Sequence, residues 1–213
     1  MTPAAADATR ERLLEVAGPL FAERGYRNTG IKEICDAARC NVASVNYHFG
    51  SKEKFYAAVL ASAHARGFAG NPMPEPDRSR PPADELRSWL QWWIGSMLRA
   101  DRPVWLQTLI AREMAAPTSG LDTMVERSIA PIHARLRQIL KALLPRGTAP
   151  GTVRLCANSV IGQILVYKHA APVLERMGQM PKLNEDGIAA LIEHVTRFSL
   201  AGIAGVAHAR NSR

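Results

Sequence analysis

The sequence is poor in the features that define several protein classes. It has three cysteines, Cys35, Cys40 and Cys156, an odd count with no CxxC spacing, which excludes a disulfide framework. No basic segment followed by an apolar run opens the chain, so no signal peptide is visible. The longest strongly apolar stretch, Leu155 to Tyr167, is 13 residues long and stops at Lys168, against the roughly 20 that a bilayer requires. His64, His133, His169, His194 and His208 are scattered without metal-ligand spacing, so no metal site is expected. There is no GxSxG, HExxH, P-loop or dinucleotide fingerprint, and hence no expected enzyme activity or cofactor. A cytoplasmic, reduced protein without a membrane partner is the expectation.

What is present is an ordinary globular composition, 47% apolar and 22% charged, with a net charge of +8 and a pI near 9.9. That balance favours a polyanionic partner. The charge does not locate the partner's site. Residues 1–55 carry eight basic and seven acidic residues, and the remaining excess lies in 56–213.

Apolar residues recur with helical spacing throughout, and period-two alternation is nowhere sustained, so the expected class is all-α with about nine helices. Leu13, Ala17, Leu20 and Phe21 share one face of a helix from Ala8 to Glu23, with Pro19 expected to kink it and Gly25 to stop it. A short helix covers Ile31 to Ala38, capped by Gly30 or Thr29. A second, Val42 to His48, is capped by Asn41, and a third starts after Ser51 and runs to about residue 67. Seven Gly and Pro residues between Gly67 and Pro82 forbid a helix there and mark a linker, 67–83, prone to local disorder. Helices then follow from Asp84 to Leu98, from Pro103 (capped by Asp101) to before Pro117, from Thr118 or Ser119 to Leu144 with a kink at Pro131, from Thr152 to about Met177 with a bend at Pro172, and from Asn184 to about Ala207. The domains expected are 1–56 and 84–213.

The two short helices around Arg39-Cys40-Asn41 have the size of a helix-turn-helix, whose second helix enters the major groove. The residues are more specific than the size. Gly25 to Tyr56 closely resembles the DNA-binding domain of TetR-family regulators, through Phe21-Ala22-Glu23-Arg24-Gly25-Tyr26, Val45-Asn46-Tyr47-His48-Phe49 and Ser51-Lys52-Glu53, in order and without a gap. Arg112-Glu113-Met114 with Pro117-Thr118, then Ile161-Gly162-Gln163, then His194 to Ile203, resemble a CerR-type C-terminal domain of one subgroup. The resemblance implies that Val42 to His48 is the recognition helix, with Ala43, Ser44 and Asn46 facing the groove. It implies that Tyr47 and His48 touch phosphates or base edges, that Lys52 caps the site from the next helix, and that Arg27 and Thr29 flank the backbone. Arg39 stands where the family has glycine; a non-glycine residue with positive φ is strained, so either the turn differs locally or Arg39 reaches DNA.

Two features of the C-terminal half are read from the residues themselves. Trp89, Trp92, Trp93 and Trp105 crowd two adjacent helices, which suits either a core or an apolar ligand pocket. Trp89, Trp93 and Trp105, with Arg112, Gln163, Tyr167 and His169 as orienting polar groups, are the candidate effector site. Val160, Ile161, Ile164, Leu191, Val195 and Phe198 on the last helices form either internal core or a two-fold four-helix interface. The reading is a homodimeric one-component repressor that binds a palindromic double-stranded operator and is released by a small apolar or aromatic effector. The rival is a general or redox-responsive DNA-binding protein without an effector, in which Cys35 and Cys40 could act as a thiol switch.

Overall fold

The computed structural model describes residues 3–68, 70–98 and 103–211, and among them there is no strand. The helices are α1 (Pro3–Asn28), α2 (Ile31–Ala37), α3 (Val42–Phe49), α4 (Lys52–Arg66), α5 (Pro82–Met97), α6 (Val104–Ala115) and α7 (Gly120–Met124), then a π-helical turn (Val125–Ile129), α8 (Ala130–Leu143), α9 (Pro150–His169), α10 (Ala171–Arg176) and α11 (Glu185–Asn211). Two compact units result. One joins Met1–Ala69 to Asp101–Pro131, and the other joins Gly70–Ala100 to Ile132–Arg213. This partition differs from a simple break after the linker, because α6 and α7 supply Leu106, Leu109 and Met124 to the core of the N-terminal unit.

The caps follow from side-chain chemistry. The Asn41 side-chain Oδ1 accepts from the Ala43 N–H at 2.9 Å and the Ser51 hydroxyl from the Lys54 N–H at 3.2 Å. The Asn184 side chain accepts from Gly187 N–H at 3.0 Å. Each satisfies an otherwise unpaired helix donor. Gly30 is the N-cap of α2 and has no side chain to offer. The Thr29 hydroxyl turns back instead, donating to Gly25 O at 2.8 Å and Leu20 O at 3.3 Å. The expected cap at Asp101 lies outside the described residues.

Prolines act differently from place to place. Pro19 leaves α1 helical because it is exposed, so water can meet the carbonyl it frees. The break falls at Gly25 instead (φ 79, ψ 168), a conformation that favours glycine. Before Pro131 the chain widens into the π turn rather than kinking, with the Ala130 N–H donating to Val125 O. Near Pro172 one expected bent helix is two, since α9 ends at His169 and Ala170 leaves the helical conformation. The Pro-rich segment crosses no helix, yet it is tied down. Trp92 Nε1 donates to Asn71 O at 2.7 Å, Asn71 Nδ2 to Ser96 Oγ at 2.8 Å, and Asp77 N–H to Glu85 Oε1 at 3.2 Å.

In the first unit Phe21 and Phe55 are fully buried, and Phe21 meets Tyr56 edge to face at 4.9 Å. Burying side chains of this size contributes about 1.5–3 kcal/mol each. Glu113 on α6 is a buried carboxylate, 1% exposed, with three donors: Tyr56 O–H at 3.0 Å, Thr118 N–H at 2.7 Å and Thr118 Oγ1 at 2.9 Å. It locks α4 to α6 and to the start of α7. Gly120 permits that approach, since a Cβ there would stand 2.7 Å from Leu60 Cδ1. In the second unit Leu86, Leu90 and Ile94 of α5, Leu136 and Leu140 of α8, Ile164 of α9 and Val195 of α11 are buried, and α5, α9 and α11 pack against one another. Gln163 Nε2 donates to Ser199 Oγ at 3.0 Å, joining α9 to α11.

Candidate nucleic-acid interface

Alternation along α3 builds the site. Val45 and Phe49, four residues apart, are buried and anchor the helix, with Phe49 lying 4.5 Å from the Phe55 ring. Val42, Ala43, Asn46 and Tyr47 are left on the outer face, and Ser44 and His48 are half-buried at its edge. Tyr47 is 74% exposed. Leaving so large an aromatic in water, on a helix otherwise anchored by its apolar residues, is the mark of a binding surface rather than of a core. The His48 ring lies edge-on to Tyr47 at 4.9 Å, and its buried Nε2 has no hydrogen-bond partner among the described residues.

The cations around α3 divide into structural and available ones. Arg12 Nε donates to Ala38 O at 2.8 Å, closing the end of α2. Arg112 Nη2 donates to Glu23 O at 3.1 Å, just before the break at Gly25. Arg24 pairs with Glu33. Arg27 and Arg39 are exposed and have no carboxylate partner among the described residues. Lys52 is positioned: Nζ donates to Arg27 O at 3.4 Å and lies 4.9 Å from the Tyr26 ring centroid. The ammonium is thereby held where α1 ends and α4 begins, beside the first turn of α4.

Arg39 adopts φ 51, the only positive φ of a non-glycine residue among those described. The Cys40 N–H then reaches Cys35 O at 2.9 Å, a six-residue closure of α2 that brings the two cysteine side chains together. The Cys35 thiol is pushed up to about 11 by burial and by the adjacent Cys40. A thiol that stays protonated at neutral pH is a poor nucleophile, which weighs against a thiol switch.

Thr29 does not join this surface. It is fully buried, and its hydroxyl is occupied by the end of α1. The expected effector residues are likewise dispersed. Trp105 and Arg112 belong to the first unit, where the Trp105 ring packs on Gly18. Trp89 and Trp93 are buried and stack on each other at 5.6 Å, Gln163 is bonded to Ser199, and His169 is exposed. None of the seven, Tyr167 included, lines any of the three described clefts. The cleft of about 740 Å³ uses Trp92 instead, with Pro72, Pro74, Ile188 and Ile192 as apolar walls and Asn71, Ser88, Gln91 and Glu185 as polar ones.

Of the residues expected at a dimer interface, Val160, Ile161, Ile164, Leu191 and Val195 are buried in the subunit's own core, and only Phe198 is exposed. The outer stripes run one position away. They are Leu155, Ser159, Gly162 and Val166 on α9, and Phe198, Ala201, Gly202 and Gly205 on α11. Residues Glu185–His208 of α11 are long and apolar enough to cross a membrane, yet only 28% of the window is buried.

The fold and this surface define a helix-turn-helix DNA-binding regulator. Residues 13–59 match the profile of bacterial regulatory proteins of the tetR family, and residues 82–203 match that of the C-terminal domain of the HTH-type transcriptional dual regulator CecR. The chain belongs to the TetR family of transcriptional regulators, in the group with a CecR C-terminal domain. It is 28% identical to the transcriptional dual regulator CecR of Shigella flexneri over 76% of both chains, and 43% identical to the repressor KstR2 of Rhodococcus jostii over 32% of this chain and 34% of that one. The solved structure of the flavonoid-responsive regulator FrrA shares the fold, with a TM-score of 0.68 at 21% identity over 92% of this chain and 97% of that one. The family and these relatives are transcriptional regulators rather than enzymes.

Proposed function

We propose that the protein is a cytoplasmic one-component repressor that binds a palindromic operator as a homodimer and is released by a small apolar or aromatic effector. The observation that carries the DNA reading is α3. Val45 and Phe49 are spent on anchoring, and Val42, Ala43, Asn46 and Tyr47 remain for a groove. Arg27, Arg39, Tyr47, His48 and Lys52 hold phosphates, while Ala43, Ser44 and Asn46 read bases. Repression is the sign carried by the name of the KstR2 relative, and CecR is named a dual regulator. Self-association through the outer stripes of α9 and α11 would cover the apolar surface that α11 leaves open, with glycines allowing close helix approach. An effector in the Trp92 cleft would shift the population away from the DNA-binding geometry by its differential affinity.

Selection of bound sequences from a random DNA pool tests this. A two-fold consensus is expected, with half-site centres one helical turn or a multiple apart, roughly 34–36 Å per turn. Lys52→Ala weakens all sequences about equally and lowers the salt slope by about one, whereas Asn46→Ala changes the preferred bases. A pool without a consensus would overturn the proposal.

A further inference from the structure

The cleft between α8 and α9 has a different chemistry from the other two. It measures about 510 Å³ and is lined by His133, Arg137, Gly151, Arg154, Leu155, Ala157 and Asn158. His133 and Arg137 are four residues apart on α8, and Arg154 and Asn158 four apart on α9, so each pair shares a helix face. Arg154 Nη2 lies 3.8 Å from where a Cβ on Gly151 would stand, which folds the guanidinium over the start of α9. Among the described residues no carboxylate lines the cleft, and neither Arg137 nor Arg154 has an ion pair or hydrogen bond. The cleft of about 580 Å³ under the Pro-rich segment is lined by carboxylates as well as cations, and two of its three arginines are already matched, Arg80 by Asp77 and Arg135 by Glu85. Between α8 and α9 they are not. His133 titrates below the usual histidine range because it is buried and faces the Arg137 charge. Like charges gathered without a counter-ion raise the local potential and attract an anion.

We propose that this cleft binds a small molecule bearing one oxyanion, a carboxylate or a phosphate monoester. The guanidinium forks of Arg137 and Arg154 take the oxygens, since planar two-donor geometry fits both groups. The Asn158 amide is a further donor, and Leu155 and Ala157 receive an apolar body. The site shares no residue with the Trp92 cleft, and the inference stands whether or not the operator reading does.

Calorimetric titration of the full-length protein with benzoate and with phenyl phosphate at fixed ionic strength tests it and separates the two head groups. Saturable one-to-one binding of at least one probe, tighter than about 1 mM, is expected. Arg137→Gln and Arg154→Gln each weaken it about tenfold, the size of one charge-assisted hydrogen bond at a half-open site. Arg127→Gln, an equal change of charge outside the cleft, leaves it unaltered. Leu155 also lies on the α9 stripe proposed for self-association, so the same titration is run on Phe198→Glu, where unchanged binding is expected. Four results overturn the proposal: no saturable binding of either probe, binding retained in both arginine variants, an equal loss in Arg127→Gln, or loss in Phe198→Glu.

Discussion

Removing the Tyr56 hydroxyl isolates the contact that locks α4 to α6. Tyr56 is 4% exposed and Glu113 1%, so water does not replace the lost bond. In Tyr56→Phe the carboxylate keeps both donors from Thr118 but loses the phenol, a charge-assisted bond of 3.0 Å. Such bonds are worth about 1.5–3 kcal/mol, and the two that remain place this loss near about 2 kcal/mol. At about 1.36 kcal/mol per factor of ten, amide exchange in α4 and α6 should accelerate about 30-fold. Peptides from α5 and α9 lie in the other unit and should exchange as in the wild type. Hydrogen exchange read by mass spectrometry resolves the two sets. Glu113→Ala strands three donors and should cost more, about 3–5 kcal/mol. Exchange in α4 and α6 changed less than about threefold by Tyr56→Phe would refute the reasoning.

Other expectations follow from single residues. Arg39→Gly relieves a left-handed residue whose cost is about 1–2 kcal/mol, so the urea midpoint should rise even as the unfolded chain gains freedom. A simultaneous drop in operator affinity would place the Arg39 guanidinium on DNA. Phe198→Glu should give folded monomers in sedimentation, whereas Ile164→Asp, in the core, should unfold the second unit; dimeric Phe198→Glu would exclude the outer stripe of α11. Iodoacetamide at pH 7.5 should label half-buried Cys40 and spare Cys35. Because the Cys35 pKa is raised by folding, its contribution to stability is intact below the unfolded value near 9 and is lost as pH climbs towards 11. Rapid labelling of Cys35 in the folded protein at pH 7.5 would contradict its placement.

Local patterns were legible in the sequence. The caps at Asn41, Ser51 and Asn184 follow from interactions within a few residues, which sequence displays directly. What failed depended on partners distant along the chain. Thr29 has the chemistry of a phosphate ligand, but the break at Gly25 sets a bare carbonyl beneath it. Val160 and Ile164 carry the hydrophobicity of an interface, but α5 and α11 already bury them. Trp105 and Arg112 seemed to belong with Trp89 because they are near in sequence, whereas α6 folds onto α1. Pairing of helices decides such cases, and periodicity reports only that a face is apolar.

The division of the chain into interleaved units bears on how regulators of this kind can be recombined. The polypeptide passes between the units three times, after residues 69, 100 and 131. A hybrid that exchanges everything beyond the linker would pair the operator-reading half with a foreign α6 and α7. Phe21, Tyr56 and Leu60 would then face side chains never selected against them, and Glu113 would be gone. Swaps of specificity should therefore carry residues 101–131 along with 1–69, moving two stretches of sequence as one part.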